Sequence, residues 1–133
     1  MITRVVVVED QPRILEAQVS LLSGVPDLEV VGQASTGERG LEVVRRARPH
    51  VALVDLGLPG MDGVQLTARA RQEVPEVEVL VWTIFEDARR ADDALVAGAA
   101  GYILKGTPVD RLAEAIRAVR AGGAVVTPSL ARP

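Results

Sequence analysis

Residues 51–63 read Val-Ala-Leu-Val-Asp-Leu-Gly-Leu-Pro-Gly-Met-Asp-Gly: a short apolar run, an aspartate, and then a stretch rich in glycine and proline. The run Val51 to Val54 reads as a strand buried on both faces, and the Pro59-Gly60-Met61-Asp62-Gly63 segment as a tight loop. Other runs of the same form lie on either side. Val5-Val6-Val7-Val8 ends in Glu9-Asp10, Val77-Glu78-Val79-Leu80-Val81-Trp82 ends in Thr83, and Gly101-Tyr102-Ile103-Leu104 ends in Lys105. Between them the apolar spacing becomes helical. Leu15, Val19 and Leu22 mark a helix over 12–23 with Pro12 in its first turn, and Leu41, Val44 and Ala47 mark one over 37–47. A third helix over 63–73 stops before Pro75. A fourth over 87–97 is mostly alanine and charge, with Leu95 and Val96 its only large apolar side chains, and is expected to be weakly held. The fifth, over 108–121, carries Leu112, Ala115, Ile116 and Val119 at i, i+3, i+4 and i+7 and stops at Gly122-Gly123.

Strands alternating with helices imply right-handed crossovers and a three-layer α/β sandwich. The segment Leu28 to Ala34 is partly polar, as suits a sheet edge. The expected architecture is a doubly wound, five-stranded parallel sheet of flavodoxin-like order 2-1-3-4-5. Ligands bind such sheets where the strand order reverses, at the carboxyl ends of the strands. Strands one and three lie together at the centre, so Glu9, Asp10 and Asp55 converge there, with Thr83 and Lys105 on the same edge. One domain over residues 1–123 is expected, with 124–133 as the start of a linker.

Composition narrows the functional classes. A net charge of -3 gives no basic footprint for nucleic acid, so this segment is not expected to hold DNA by itself. With no cysteine, thiolate chemistry and cysteine zinc sites are excluded, and the single histidine, His50, excludes a multi-histidine metal site. No signal peptide or bilayer-spanning stretch is present in these residues, and the expected location is cytoplasmic.

The chain has 14 arginines and one lysine, and that lysine, Lys105, stands at a strand end. Neighbouring carboxylates repel one another and remain anionic only when something positive joins them. Mg2+, which prefers carboxylate and carbonyl oxygens and keeps several waters, is the economical partner. Three carboxylates, Mg2+ and one lysine sum to zero formal charge, so a dianionic phosphoryl group could arrive on one carboxylate and leave again. Such a site suits phosphoryl transfer, which needs positioning and charge stabilisation more than covalent help.

These residues resemble the receiver domain of two-component response regulators, a CheY-like fold. The likeness runs through Glu9-Asp10, Asp55 with Leu-Gly-Leu-Pro-Gly-Met-Asp-Gly, Thr83, and Ala97 to Lys105. Asp10-Gln11-Pro12, Leu112 to Val119 and Thr127-Pro128-Ser129-Leu130 are similar to the NarL/LuxR (FixJ) subgroup. The resemblance implies that Asp55 is the phosphoacceptor. It also implies that Glu9, Asp10, Asp55 and the backbone carbonyl of Gly57 bind Mg2+, that Thr83 and Lys105 hold phosphoryl oxygens, and that Tyr102 is an aromatic switch. The implied phosphodonor is a sensor histidine kinase. The implied output is transcriptional, through a C-terminal helix-turn-helix DNA-binding domain that would follow residue 133, with a phosphorylation-promoted homodimer. Self-phosphorylation from small phosphodonors and autodephosphorylation are expected, but no conventional enzymatic turnover.

Taken singly these residues have ordinary readings: an acidic pair at a helix start, a turn cap, a strand-end threonine. Those readings do not explain why the residues coincide at four strand ends in this order. Asp62 reads as a turn residue, His50 as a loop residue, Trp82 as packing, and Arg45, Arg46 and Arg48 as a solvated helix end. The chain departs from the common receiver pattern at Gly106, where proline often follows the lysine, and at Ile84, whose bulk could narrow access to Asp55. Phe85 could screen attacking water, so both are candidates for tuning rates. Two alternatives bracket this reading. A haloacid-dehalogenase-like phosphotransferase would need an Asp-x-Asp motif after the first strand, which Glu9-Asp10-Gln11-Pro12 does not supply. A degenerate or stand-alone receiver could serve as a phosphate-independent interaction module.

Overall fold

The computed structural model describes residues 1–84, 88–123 and 125–126. The strands are β1 (Thr3–Val8), β2 (Leu28–Ala34), β3 (Val51–Val54), β4 (Glu78–Thr83), β5 (Gly101–Leu104) and β6 (Val125–Val126). Between them run α1 (Pro12–Ser23), α2 (Gly37–Ala47), α3 (Gly63–Glu73), α4 (Ala88–Val96) and α5 (Val109–Arg120). The sheet is parallel with order β2-β1-β3-β4-β5-β6. The expected 2-1-3-4-5 order is present, and β6 extends it by one short edge strand. Val125 and Val126 pair with Gly101 and Tyr102, so the chain beyond the Gly122-Gly123 stop rejoins the sheet.

The two faces of the sheet follow from the period of a strand. On β1, Val5 and Val7 point to the layer that holds Leu15 and Leu22 of α1 and Leu112, Ile116 and Val119 of α5. Val6 and Val8 point to the opposite layer, with Leu41 and Val44 of α2 and Leu66 and Ala70 of α3. These β1 valines are at most 1% exposed, as expected of a strand covered on both sides.

Helix α4 is attached differently. Of its large apolar residues Val96 is 91% exposed and Leu95 only partly buried. Among its described side chains the fully buried ones are Ala91 and Ala94, which meet Leu56, Val81 and Tyr102 in a small third cluster. The helix is thus seated chiefly through small residues one turn apart, with Leu95 packed at the cluster's edge and Val96 outside it. Alanine carries no signal of burial in sequence because it is also the best helix former.

The turn into α3 explains how Asp55 is held. Asp62 caps the helix: its carboxylate accepts from the Gln65 amide at 2.9 Å, and Gln65 Oε1 accepts from the Asp62 amide at 3.0 Å. Gly63 then packs so tightly that a Cβ there would lie 2.3 Å from the Asp55 carbonyl oxygen and 2.7 Å from the Leu56 Cα. Both neighbours are backbone and cannot rotate away. Gly63→Ala should therefore cost about 1–3 kcal/mol of unfolding free energy, measurable as a lower urea midpoint at unchanged slope.

Candidate functional site

The carboxyl ends of β1, β3, β4 and β5 converge as the strand order requires. The backbone fixes each position through the ladder: the Asp55 amide donates to the Val8 carbonyl at 3.0 Å and the Lys105 amide to the Thr83 carbonyl at 2.8 Å. Glu9 is anchored by its own amide on the Ala34 carbonyl at 3.0 Å, and its carboxylate accepts from the Gln11 amide at 3.1 Å.

Glu9, Asp10 and Asp55 each bring a carboxylate oxygen to one spot, all within 4.8 Å of one another. Glu9 is 1% exposed and Asp55 8%, while Asp10 is half-buried. Lys105 closes the cluster, its Nζ 2.7 Å from Glu9 Oε1 and 3.2 Å from Asp55 Oδ1. The shorter contact is to Glu9, a pairing across 96 residues that no local pattern announces.

The charges do not balance without a further cation. Burial pushes the Asp55 carboxyl above its ordinary range, and Glu9 adds to this, although Lys105 and the Gly57 amide pull the other way. Asp10 is raised too, first by burial, then by its hydrogen bond with Glu9 and the charges of Glu9 and Asp55. Burial alone would lower the Lys105 ammonium, but Glu9 and Asp55 outweigh it and hold it above its usual value. The donor set is entirely hard carboxylate oxygen, crowded and under-neutralised. That fits a divalent ion of the Mg2+ type, with Glu9, Asp10 and Asp55 as the residues that could hold it.

The remaining sequence candidates fall around this cluster. Gly57 lies against Asp55, where an added Cβ would sit 3.7 Å from Oδ2. Thr83 is fully buried at the end of β4, and its hydroxyl donates to the Ile84 carbonyl at 3.3 Å. Tyr102 is 3% exposed and packed against Ala91 and Ala94, so it already faces inward beneath α4. Its phenol is raised by burial and by Asp92. Ile84 is 46% exposed at the rim, and Phe85 lies outside the described residues. Gly106 follows Lys105 through a trans bond at φ +92, with nothing within 4 Å of an added Cβ. The positive φ, not crowding, is what favours glycine there.

Other residues have structural roles. Asp62 is the α3 cap, and His50 Nδ1 accepts from the Arg4 amide at 2.8 Å. Arg45 and Arg46 pair with Glu73 and Glu42 at the surface, and Arg48 pairs with Glu76. Trp82 is 5% exposed, within the α1 and α5 layer. Sequence reasoning missed Glu38 and Arg90, which reach the β3–α3 loop from α2 and α4. Nothing in the local pattern distinguishes either from other surface charges.

Comparison with known proteins decides the family. The sequence matches the response regulator receiver domain over residues 5–117. The chain belongs to that family. It is 35% identical to the response regulator GacA of Pseudomonas protegens over 129 residues, covering 97% of this chain and 61% of the relative. It is likewise 35% identical to the transcriptional regulatory protein DegU of Brevibacillus brevis, covering 96% of this chain and 54% of the relative. The receiver thus spans a little over half the length of these relatives. Among solved structures it is similar to a LuxR-family two-component response regulator from Aurantimonas sp. SI85-9A1, with a TM-score of 0.91, 30% identity, and coverage of 98% of this chain and 94% of that one. The signal receiver domain of NarL from Mycobacterium tuberculosis gives a TM-score of 0.85 and 35% identity, covering 91% and 98%. The receiver is therefore of the LuxR/NarL type.

The raised Asp10 carboxyl sets a pH dependence for the metal-free receiver. A carboxyl whose folded-state pKa lies above its unfolded value destabilises the fold when ionised. The cost is absent well below 3.8, where both states are protonated, and grows as pH rises to the folded-state value. With chelator present, Asp10→Asn should melt higher than the parent near neutral pH and lose that advantage below pH 3.8. Added Mg2+ should reverse the order, because only the parent keeps the full ligand set. Thermal melts at several pH values, with and without Mg2+, check both statements.

Proposed function

We propose that this receiver accepts a phosphoryl group on Asp55 from a phosphohistidine of a sensor histidine kinase and uses the resulting change of surface to control transcription. The observation that carries the reading is the placement of Asp55 at a central strand end, within 4.8 Å of Glu9 and Asp10 and 3.2 Å from the Lys105 ammonium. A carboxylate oxygen of Asp55 attacks phosphorus while the bond to the imidazole nitrogen breaks, so one P–O bond replaces one P–N bond. Glu9, Asp10, Asp55 and the Gly57 carbonyl would hold Mg2+, which would supply positive charge to offset that of the carboxylates and the incoming phosphoryl group. Lys105 turns its ammonium from Asp55 to a phosphoryl oxygen, and the Thr83 hydroxyl gives up the Ile84 carbonyl to donate to another. Drawing Thr83 inward disturbs the cluster that Tyr102 shares with Ala91 and Ala94, so α4 responds. Ile84 and Phe85 tune how readily donors and water reach Asp55.

In the full-length regulator the signal passes to a C-terminal helix-turn-helix domain that supplies the DNA contacts. The GacA and DegU relatives are longer than this chain and are named as regulators, which supports that reading. A cytoplasmic location agrees with the absence, among the described residues, of any helix long and apolar enough to cross a membrane. Phosphorylation promotes a homodimer through α4, β5 and α5, with the α1 and α5 face as the other candidate surface. A two-fold pair would present two DNA-binding domains to paired half-sites.

Incubation with acetyl phosphate and Mg2+ should add one phosphoryl mass, which Asp55→Asn should abolish in intact-mass spectra. A parent protein that stays unmodified but still binds its partners would instead be a phosphate-independent interaction module. Sedimentation with beryllofluoride should shift the parent toward dimer and leave Asp55→Asn unchanged. A parent that remains monomeric at high concentration would remove dimerisation by this domain.

A further inference from the structure

The loop joining β3 to α3 is tethered from both sides by side chains of neighbouring helices. From α2, Glu38 Oε2 accepts from the Met61 amide at 3.1 Å. From α4, Arg90 Nη2 donates to the Leu56 carbonyl at 2.7 Å and lies 3.7 Å from Asp62 Oδ2, the cap of α3. The two tethers rest on unequal foundations. Helix α2 buries Leu41, Val43 and Val44 in its layer, whereas among the described side chains of α4 those completely buried are Ala91 and Ala94.

Leu56 is the residue directly after Asp55, and it is committed to α4 twice. Its side chain is fully buried against Ala91, Ala94 and Tyr102. Its carbonyl takes the Arg90 guanidinium on one side and the Gly63 amide, at 3.2 Å, on the other. A carbonyl has two lone pairs, so both are occupied. The charged donor makes the stronger of the two bonds.

We infer that Arg90 is a positioning residue that ties the segment carrying Asp55 and Gly57 to α4 through the Leu56 carbonyl. A displacement of that segment, as metal and phosphoryl group are taken up, is therefore transmitted to α4 by a hydrogen bond independent of Thr83 and Tyr102. Glu38 holds the far end of the loop to the firmly seated α2, so motion at the near end is delivered to the weakly seated helix. The consequence for signalling rests on Asp55 being the phosphoacceptor; the tether itself does not.

Three variants test it: Arg90→Ala, Arg90→Lys and Glu38→Ala. Amide hydrogen exchange in the metal-free protein reads the tether directly, whether or not Asp55 accepts phosphate. Arg90→Ala should speed exchange of the Gly63 amide, and weaken Mg2+ binding in a chemical-shift titration, each by about three- to tenfold, the scale of one hydrogen bond. Phosphorylation of Asp55 at saturating Mg2+ should stay within about twofold, since a residue acting through metal affinity affects the half-saturating concentration more than the maximal rate. Beryllofluoride-induced shifts at the Ala91 and Ala94 amides should lose most of their size. Arg90→Lys should restore part of each effect, because an ammonium can still donate to one carbonyl. Glu38→Ala should speed Met61 exchange and leave the α4 shifts full-sized. Parent-like Gly63 exchange and Mg2+ affinity in Arg90→Ala would overturn the inference. So would an equal loss of α4 shifts in Glu38→Ala, which would mean general loosening. A parent with no beryllofluoride response would instead count against the proposed function, with the exchange comparison unaffected.

Discussion

Crowding of negative charge at the carboxyl ends of two adjacent central strands is the constraint on which the rest of this receiver depends. The β1–β3 pairing places Val8 beside Val54, and the residues that follow each strand are necessarily neighbours. Those residues are Glu9, Asp10 and Asp55, two of them buried. Burial first, and mutual repulsion after it, create a cost that Lys105 only partly relieves, since Asp55 and Asp10 both remain above the ordinary carboxyl range. The cost is localised at one end of a well-packed sandwich, where it leaves the fold intact but makes binding of a cation favourable. Stability lost at the site is the counterpart of affinity gained there.

The sequence made the sheet and its acidic edge legible because both depend on short-range pattern. Four valines before Glu9 and the Val51–Val54 run before Asp55 specify strands whatever surrounds them, and connection rules then restrict the order in which they lie. The tight loop at Pro59 to Gly63 was equally readable, although Asp62 proved to be a helix cap with Gln65 and not merely a turn residue. What escaped were features fixed by tertiary geometry. Arginine side chains are long and alike in sequence, so nothing marks Arg90 as the one that meets the Leu56 carbonyl while Arg45 and Arg46 meet surface glutamates. The return of Val125 and Val126 to the sheet depends on β5 offering a free edge, which a local reading of the tail cannot see.

Helix α4 shows how weak attachment can be specific. Ala91 and Ala94 allow the helix to approach Leu56, Val81 and Tyr102 closely, yet each alanine buries little apolar surface. Close approach gives defined geometry, while small buried area keeps displacement inexpensive. A helix anchored like α5, with Leu112, Ile116 and Val119 all fully buried, would resist the shifts expected of a switching element. The distribution of large side chains among the helices therefore separates the firmly seated α5 from the lightly seated α4.

The use of lysine at a single position, amid 14 arginines, follows from what the site would have to do in phosphoryl transfer. In the proposed transfer the cation would neutralise Glu9 and Asp55 beforehand, as it does here, and would serve a phosphoryl oxygen afterwards. Its backbone cannot move far, because the Lys105 amide is fixed to the Thr83 carbonyl in the sheet. The exchange must come from the side chain alone. A guanidinium would form a planar, two-pronged bond to one carboxylate, and re-aiming it would break both contacts together. An ammonium is a compact charge on a flexible stem, with donors that rotate and no preferred plane. It can transfer from one oxygen to the next without leaving the cluster, so a site built on exchange of partners selects lysine over the more abundant arginine.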